Sequence, residues 1–360
     1  MQTIPLVDVR AEYEPLIPRL EAAFREVLES ERFIRGPHYW AFQEEAADYL
    51  GVKRTIGVAN GTDALVLALD ALGVGPGDEV ICPAFTFYAT AESIVRRGAT
   101  PVFADIDPGT LNLDVDDAAA KVTGQTRAIV PVHLFGRMLD VRPLVELGVP
   151  VLEDAAQAFG APGAAQQGAI STFSFYPTKN LFCLGDGGLV ATNDEELAER
   201  VQLLSFHGSR DKSAFDLVGY NSRLDELQAA FLRIFLPEVA GWNEARRAAA
   251  ARYAELGLRE FVEIPQDDPG HVYHLFVCRS RERDAILTAL AEAGIASATY
   301  YTTPLHLQPS LRFLGYEAGS LPVTEQAGTE NFSLPLWPGI PVEAQERVVD
   351  VVRSAVPSRV

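Results

Sequence analysis

The chain has 360 residues, 48% hydrophobic and 22% charged, the balance of an ordinary soluble globular protein with length for about two domains. Thirty Lys and Arg against forty-nine Asp and Glu give a net charge of -19, which repels nucleic acid and anionic membrane surfaces at long range while allowing a local basic pocket. Cys82, Cys183 and Cys278 lack C-x-x-C spacing and sit among apolar neighbours, so they read as small buried hydrophobes, with no disulfide framework and no metal site expected.

Between residue 55 and about 205, short apolar runs alternate with helical spacing. Residues 55–59, 79–83, 101–105, 127–132 and 149–153 read as buried strands, and 63–72, 88–97, 114–122 and 141–147 as the helices between them. This alternation predicts an α/β fold with a mostly parallel sheet covered on both faces, whose ligands gather at the carboxyl ends of the strands. Beyond residue 205 the pattern changes. Leu224, Leu227, Phe231 and Ile234 form a helical stripe over 222–236, opened by Ser222 as a cap and ended by Pro237, and an alanine-rich helix follows over 238–256. Strands near 272–278 and 298–301, with helices near 281–293 and 342–352, describe a smaller C-terminal α+β domain. The expected division is a large domain over 1–240, its N-terminal segment free to pack on the small one, and a small domain over 241–360.

Three segments carry chemistry. In Phe173-Ser174-Phe175-Tyr176-Pro177-Thr178-Lys179-Asn180, a strand-like run stops at Pro177 and a lysine follows where the chain leaves the sheet; lysine is the side chain that forms Schiff bases with carbonyl cofactors. Val149-Pro150-Val151-Leu152-Glu153-Asp154 is an apolar strand ending in two acids. A carboxylate there can pair with a protonated pyridine nitrogen and keep such a ring electron-accepting. Asn60-Gly61-Thr62-Asp63 lies between a strand and a helix, where Gly61 permits close approach and the first-turn amides face a potential anion. Each alone is an ordinary solvated lysine, acidic helix start or loop-and-cap. Together they supply a Schiff-base lysine, a pyridinium partner and a phosphate cradle at strand ends of one sheet.

At this point the sequence resembles the sugar aminotransferases of the DegT/DnrJ/EryC1/StrS family, within fold type I of the pyridoxal-phosphate enzymes. The resemblance is close over most of residues 4–255 and looser beyond. It runs through Phe33-Ile34-Arg35-Gly36-Pro37, Asn60-Gly61-Thr62-Asp63-Ala64, Pro83-Ala84-Phe85-Thr86-Phe87, Glu153-Asp154-Ala155-Ala156-Gln157, Ser174-Phe175-Tyr176-Pro177-Thr178-Lys179-Asn180-Leu181 and Gly219-Tyr220-Asn221-Ser222-Arg223-Leu224. It implies pyridoxal 5'-phosphate held covalently by Lys179, with Asp154 on its pyridine nitrogen and Gln157 on the ring's oxygen side. It also implies phosphate contacts from the amides of Gly61 and Thr62 and the hydroxyl of Ser174, with Phe87 stacked on the ring. Asn221 matches a residue that reaches the neighbouring subunit's cofactor, implying a homodimer with shared sites. Two positions depart from the family pattern, Phe159 where histidine is common and Phe235 near a frequent lysine.

The same resemblance implies amino-group transfer from glutamate to a nucleotide-linked keto-sugar. The opening Ile4-Pro5-Leu6-Val7-Asp8 favours the sugar 3-position over the 4-position. A 4-keto-sugar or cyclitol acceptor, and a non-catalytic cofactor-binding regulator, stand as alternatives. The dehydratase branch, which replaces the lysine with histidine, is disfavoured by Lys179. Of the histidines, His133 and His306 either touch substrate or fill polar gaps, and His207 and His274 read as structural. Without a secretory signal or an apolar run of the ~20 residues needed to span a bilayer, the cytoplasm is the expected compartment.

Overall fold

A computed structural model describes residues 3–356. Its strands are β1 (Arg54–Val58), β2 (Glu79–Pro83), β3 (Thr100–Ala104), β4 (Thr126–Ile129), β5 (Leu152–Asp154), β6 (Ile170–Ser174), β7 (Gly188–Thr192), β8 (Phe276–Arg279) and β9 (Asn331–Leu334). A four-stranded sheet β1-β7-β6-β5 meets a three-stranded sheet β3-β2-β4 through the parallel bridges Ile129–Val151 and Val132–Asp154. β7 is antiparallel to both β1 and β6, while β5–β6, β2–β3 and β2–β4 are parallel. The expected mostly parallel sheet is therefore present.

Parallel strands covered on both faces lose the alternation of half-buried ones, and Val80, Ile81 and Cys82 of β2 are all fully buried. The helix Gly61–Ala71 is apolar almost all round because it too is enclosed, with Ala64 through Ala71 all buried. One face of the sheet packs Ile56, Val58, Leu67 and Val80; the other packs Phe159, Phe173, Phe175 and Leu189. Phe159 lies 5.5 Å from the ring of Tyr49 and 5.2 Å from that of Phe173, so a phenylalanine here completes an aromatic cluster. The three cysteines are buried and unpaired. A separate apolar cluster joins Ile4 to Tyr253, Phe276, Ile286, Phe332 and Val349. Ile4 bridges Ile295, which ties the N-terminal segment to the C-terminal part of the chain.

The structure corrects two sequence expectations. Ser222 does not cap a helix: that helix runs Glu226–Phe235 from Asp225, and Ser222 Oγ instead accepts the amide of Ala59 at 3.2 Å. Residues 298–301 form only a single bridge, Ala298 to Ser333, rather than a strand. Glu226 has a role that local sequence does not reveal. Its buried carboxylate accepts the amides of His38 (2.6 Å) and Tyr39 (3.0 Å), satisfying the first turn of the helix Pro37–Leu50. A Cβ on Gly36 would come within 2.6 Å of that carboxyl group.

Candidate active site

The carboxyl ends of β5 and β6 and the start of the helix Gly61–Ala71 converge on one rim. The Asn60 side chain caps that helix by accepting the amide of Asp63 at 2.8 Å, and Ala64 bonds the Asn60 carbonyl at 3.0 Å. The amides of Gly61 and Thr62, at its first two positions, have no partner within the helix and point out of its N-terminus. Ser174, the last residue of β6, presses against this turn: a Cβ on Gly61 would sit 2.6 Å from Ser174 Cβ and 3.0 Å from its Oγ. The cradle therefore requires glycine for steric reasons.

Asp154 ends β5 and is 4% exposed. Its Oδ2 accepts the hydroxyl of Thr90 at 2.9 Å and its Oδ1 the amide of Ala156 at 3.2 Å. Burial raises its pKa, and these two donors and the nearby charge of Lys179 only partly oppose that shift. Among the described residues no cation reaches ion-pair distance of it. A buried carboxylate bonded only to neutral donors fits a site completed by a cationic ring nitrogen.

Lys179 follows β6 on a tight turn, its amide donating to the Tyr176 carbonyl at 2.8 Å. Although the residue is partly exposed, its amine is desolvated. Burial brings its pKa down to about 8, against the pull of Asp154. Its Nζ stands 3.5 Å from His274 Nε2. Gln157 is oriented by accepting the amide of Phe135 at 2.7 Å and donating to the hydroxyl of Tyr301 at 3.4 Å. Phe87 is 58% exposed with its ring 6.2 Å from that of Tyr301, an apolar face open for stacking. Asn221 is exposed and accepts from Arg223.

His133 and His306 are both buried. His133 is fully buried with both ring nitrogens engaged: Nδ1 accepts the amide of Leu139 at 3.1 Å, so Nε2 carries the proton that bonds Glu153 at 2.8 Å. Burial works against ionisation of Glu153, but His133, the Gly168 amide and Ser171 together hold its pKa below the usual range. His306 is 1% exposed and bonds Glu325 at 3.0 Å. His306 Nδ1 is buried and has no partner among the described residues. The site residues that sequence reading missed are Thr90, Tyr301 and His274. His274 read as structural, and no spacing signal links it to a lysine 95 residues earlier.

This arrangement suits the chemistry of a Schiff-base lysine enzyme of the α/β class. Residues 17–353 match the DegT/DnrJ/EryC1/StrS aminotransferase family, and the chain belongs to that family, whose members are pyridoxal-phosphate-dependent aminotransferases. It is 45% identical to a "Pleiotropic regulatory protein" of Geobacillus stearothermophilus, with 97% of each chain covered. It is 42% identical to the UDP-N-acetyl-3-dehydro-alpha-D-glucosamine 3-aminotransferase of Acidithiobacillus ferrooxidans, again with 97% of each covered. Among solved structures it resembles S. venezuelae DesV in complex with a ketimine intermediate, at 41% identity and TM-score 0.94, with 98% of each chain covered. No helix among the described residues is long and apolar enough to cross a membrane.

Proposed function

We propose that this aminotransferase moves an amino group from glutamate to the 3-position of a nucleotide-linked keto-sugar in the cytoplasm, working as a homodimer with shared sites. The observation that carries this reading is the grouping of the desolvated Lys179 amine, the buried Asp154 carboxylate and the Gly61–Thr62 amide cradle on one rim. Pyridoxal phosphate, when bound, supplies an electron sink for a carbanion at the amino-bearing carbon. Lys179 would anchor it and, with its amine freed, take and return a proton at Nζ. Asp154 would hold the ring nitrogen protonated, the Gly61 and Thr62 amides and Ser174 hydroxyl would bind phosphate, Gln157 would orient the ring and Phe87 would cover it.

The 3-position draws support from the relative that aminates a 3-dehydro sugar. A phosphorylated acceptor draws support from a cation cluster beside Asn221. The Arg35 guanidinium lies 4.3 Å from the Phe206 ring centroid, Lys212 Nζ 5.0 Å and the Arg223 guanidinium 5.5 Å. Among the described residues no carboxylate is in ion-pair contact with any of the three, although the chain carries a net charge of -19. Homodimerisation draws support from exposed Phe24, Leu28, Phe33, Ile34 and Trp40 on two N-terminal helices and the segment between them.

The test is a visible spectrum of the protein with pyridoxal phosphate before and after glutamate, with Lys179→Ala alongside, followed by turnover of 3-keto and 4-keto nucleotide sugars. Loss of the lysine-bound cofactor band on adding glutamate, its absence in the variant, and turnover of the 3-keto compound are expected. A cofactor band indifferent to glutamate would favour a regulator, and turnover of only the 4-keto compound would reject the 3-position.

A further inference from the structure

We propose that His274 is a positioning residue for Lys179, its Nε2 accepting a hydrogen bond from the amine and fixing where Nζ rests whenever that amine is free. The two nitrogens are 3.5 Å apart, and both are held there from several sides. Asn180, the next residue after Lys179, donates to the Val272 carbonyl at 2.9 Å and to Asn243 at 2.7 Å. The segment bearing His274 is pinned in turn by Val272 donating to the Gly136 carbonyl at 2.9 Å and Leu275 to that of Phe135. Gly136, at φ +95°, approaches so closely that a Cβ there would meet the His274 amide at 2.9 Å. The Asn180 side chain thus ties the lysine loop to the histidine segment, which backbone bonds to Phe135 and Gly136 hold in turn.

The direction of the bond follows from what surrounds the ring. His274 is buried, and Nδ1 has no partner among the described residues. Burial, with Lys179 and Arg246 as the charges facing it, pushes its pKa well down, so the ring is neutral and accepts on one nitrogen only. Below its pKa of about 8 Lys179 is an ammonium, which donates and cannot accept, so Nε2 is the acceptor and Nδ1 carries the proton. Among the described residues the charged group facing Lys179 is Asp154, with His274 its neutral contact. The bond is stronger to an ammonium than to an amine, so His274 favours Lys179 in the state that holds a proton. Arg246, fixed by Glu12 at 2.8 and 3.1 Å, keeps the ring from competing for that proton.

This inference rests on Lys179 as the cofactor lysine, but its test does not require turnover. Reductive methylation of Lys179 in the cofactor-free full-length chain, followed by peptide mass spectrometry across pH, reports the neutral amine. The wild-type midpoint is expected near pH 8. Loss of an acceptor to a charged donor in His274→Leu should lower it by about one to two units. His274→Gln, which carries an oxygen near the Nε2 position, should return it toward wild type. In the holoenzyme, His274→Leu should lower kcat with little change in KM, and His274→Gln should restore it. Imidazole 15N spectra of the wild type give a measure free of substitution and should show an Nδ1–H tautomer that does not titrate between pH 6 and 9. An unmoved midpoint in His274→Leu, His274→Gln behaving like His274→Leu, or an Nε2–H ring would each overturn the proposal. If the midpoints shift as stated while glutamate leaves the cofactor spectrum unchanged, the proposed function fails and the positioning role stands.

Discussion

Thr90 donates its hydroxyl to Oδ2 of Asp154 at 2.9 Å, from the first turn of the helix Ala89–Arg96 to the end of β5. Because burial already drives the Asp154 pKa upward, that donor is one of the few features holding the carboxylate charged. Thr90→Val keeps shape and removes the donor. A lost hydrogen bond to a charged group costs about 1.5–3 kcal/mol, so cofactor affinity should fall about tenfold or more. Asp154→Asn should weaken it further. Fluorescence titration of the cofactor-free protein measures both, and unchanged affinity in Thr90→Val would sink the idea that Thr90 tunes the pyridine partner.

The Gly61 position makes a steric prediction. An added methyl would lie 2.6 Å from Ser174 Cβ, at the join between the helix start and the end of β6. Overpacking of this kind costs about 1–3 kcal/mol. Gly61→Ala should therefore loosen the phosphate cradle and weaken cofactor binding by about tenfold, while Gly75→Ala, where a Cβ meets nothing within 4 Å, should not. Equal affinities of the two variants would remove the steric argument.

The comparison of sequence with structure divides by range. β2 falls on residues 79–83 as expected because a fully buried parallel strand is a local apolar run. The positions of Asp154 and Gly61, at a strand end and a helix start, and of Lys179, in the turn that follows β6 and Pro177, were legible because local sequence announces each of those breaks. Thr90, Tyr301 and His274 were not, since each acts on a residue 64 to 144 positions away. The partner of His133 was hidden for the same reason: it is Glu153, 20 residues on, in the neighbouring strand. Ser222 looked like a local cap and instead serves Ala59, 163 residues earlier.

Lys179 should also make the stability of the cofactor-free protein depend on pH. Its folded pKa of about 8 lies below the ordinary 10.5. Below pH 8 both folded and unfolded states hold the proton, and the buried charge costs the folded state on the order of 3 kcal/mol. Between pH 8 and 10.5 the unfolded chain binds more protons than the folded one, so this contribution to stability rises with pH across that window. Lys179→Met should accordingly be more stable than wild type at pH 7, with the gap closing towards pH 10.5. Denaturant midpoints at both values test this, and a pH-independent gap would contradict the desolvated amine.

The pair Glu12 and Arg246 is buried on both sides, 4% and 2% exposed. The cost of desolvating Glu12 raises its pKa despite the guanidinium beside it. Removing one partner of such a pair leaves an uncompensated charge, a loss of about 3–5 kcal/mol, whereas replacing both by apolar groups is often far milder. Glu12→Ala should lower the urea midpoint sharply, and the double variant Glu12→Leu with Arg246→Met should recover much of the loss. A double variant no better than the single one would mean that the pair acts through packing rather than charge.

The cations around Phe206 separate acceptor from donor. If Arg35, Lys212 and Arg223 hold the phosphates of a nucleotide-linked sugar, removing any one should raise KM for that acceptor about tenfold and leave KM for glutamate unchanged, because glutamate carries no phosphate for them to hold. Added salt should weaken the wild-type acceptor KM more than that of Arg35→Ala, since screening acts on the charges the variant lacks. Arg35 is the most telling of the three: its Nε is buried without a partner among the described residues, while its guanidinium is held over Trp40 and Phe206. Steady-state kinetics with both substrates varied decides the matter. An equal rise in KM for glutamate would assign the cluster to the fold or the subunit contact instead of to the acceptor.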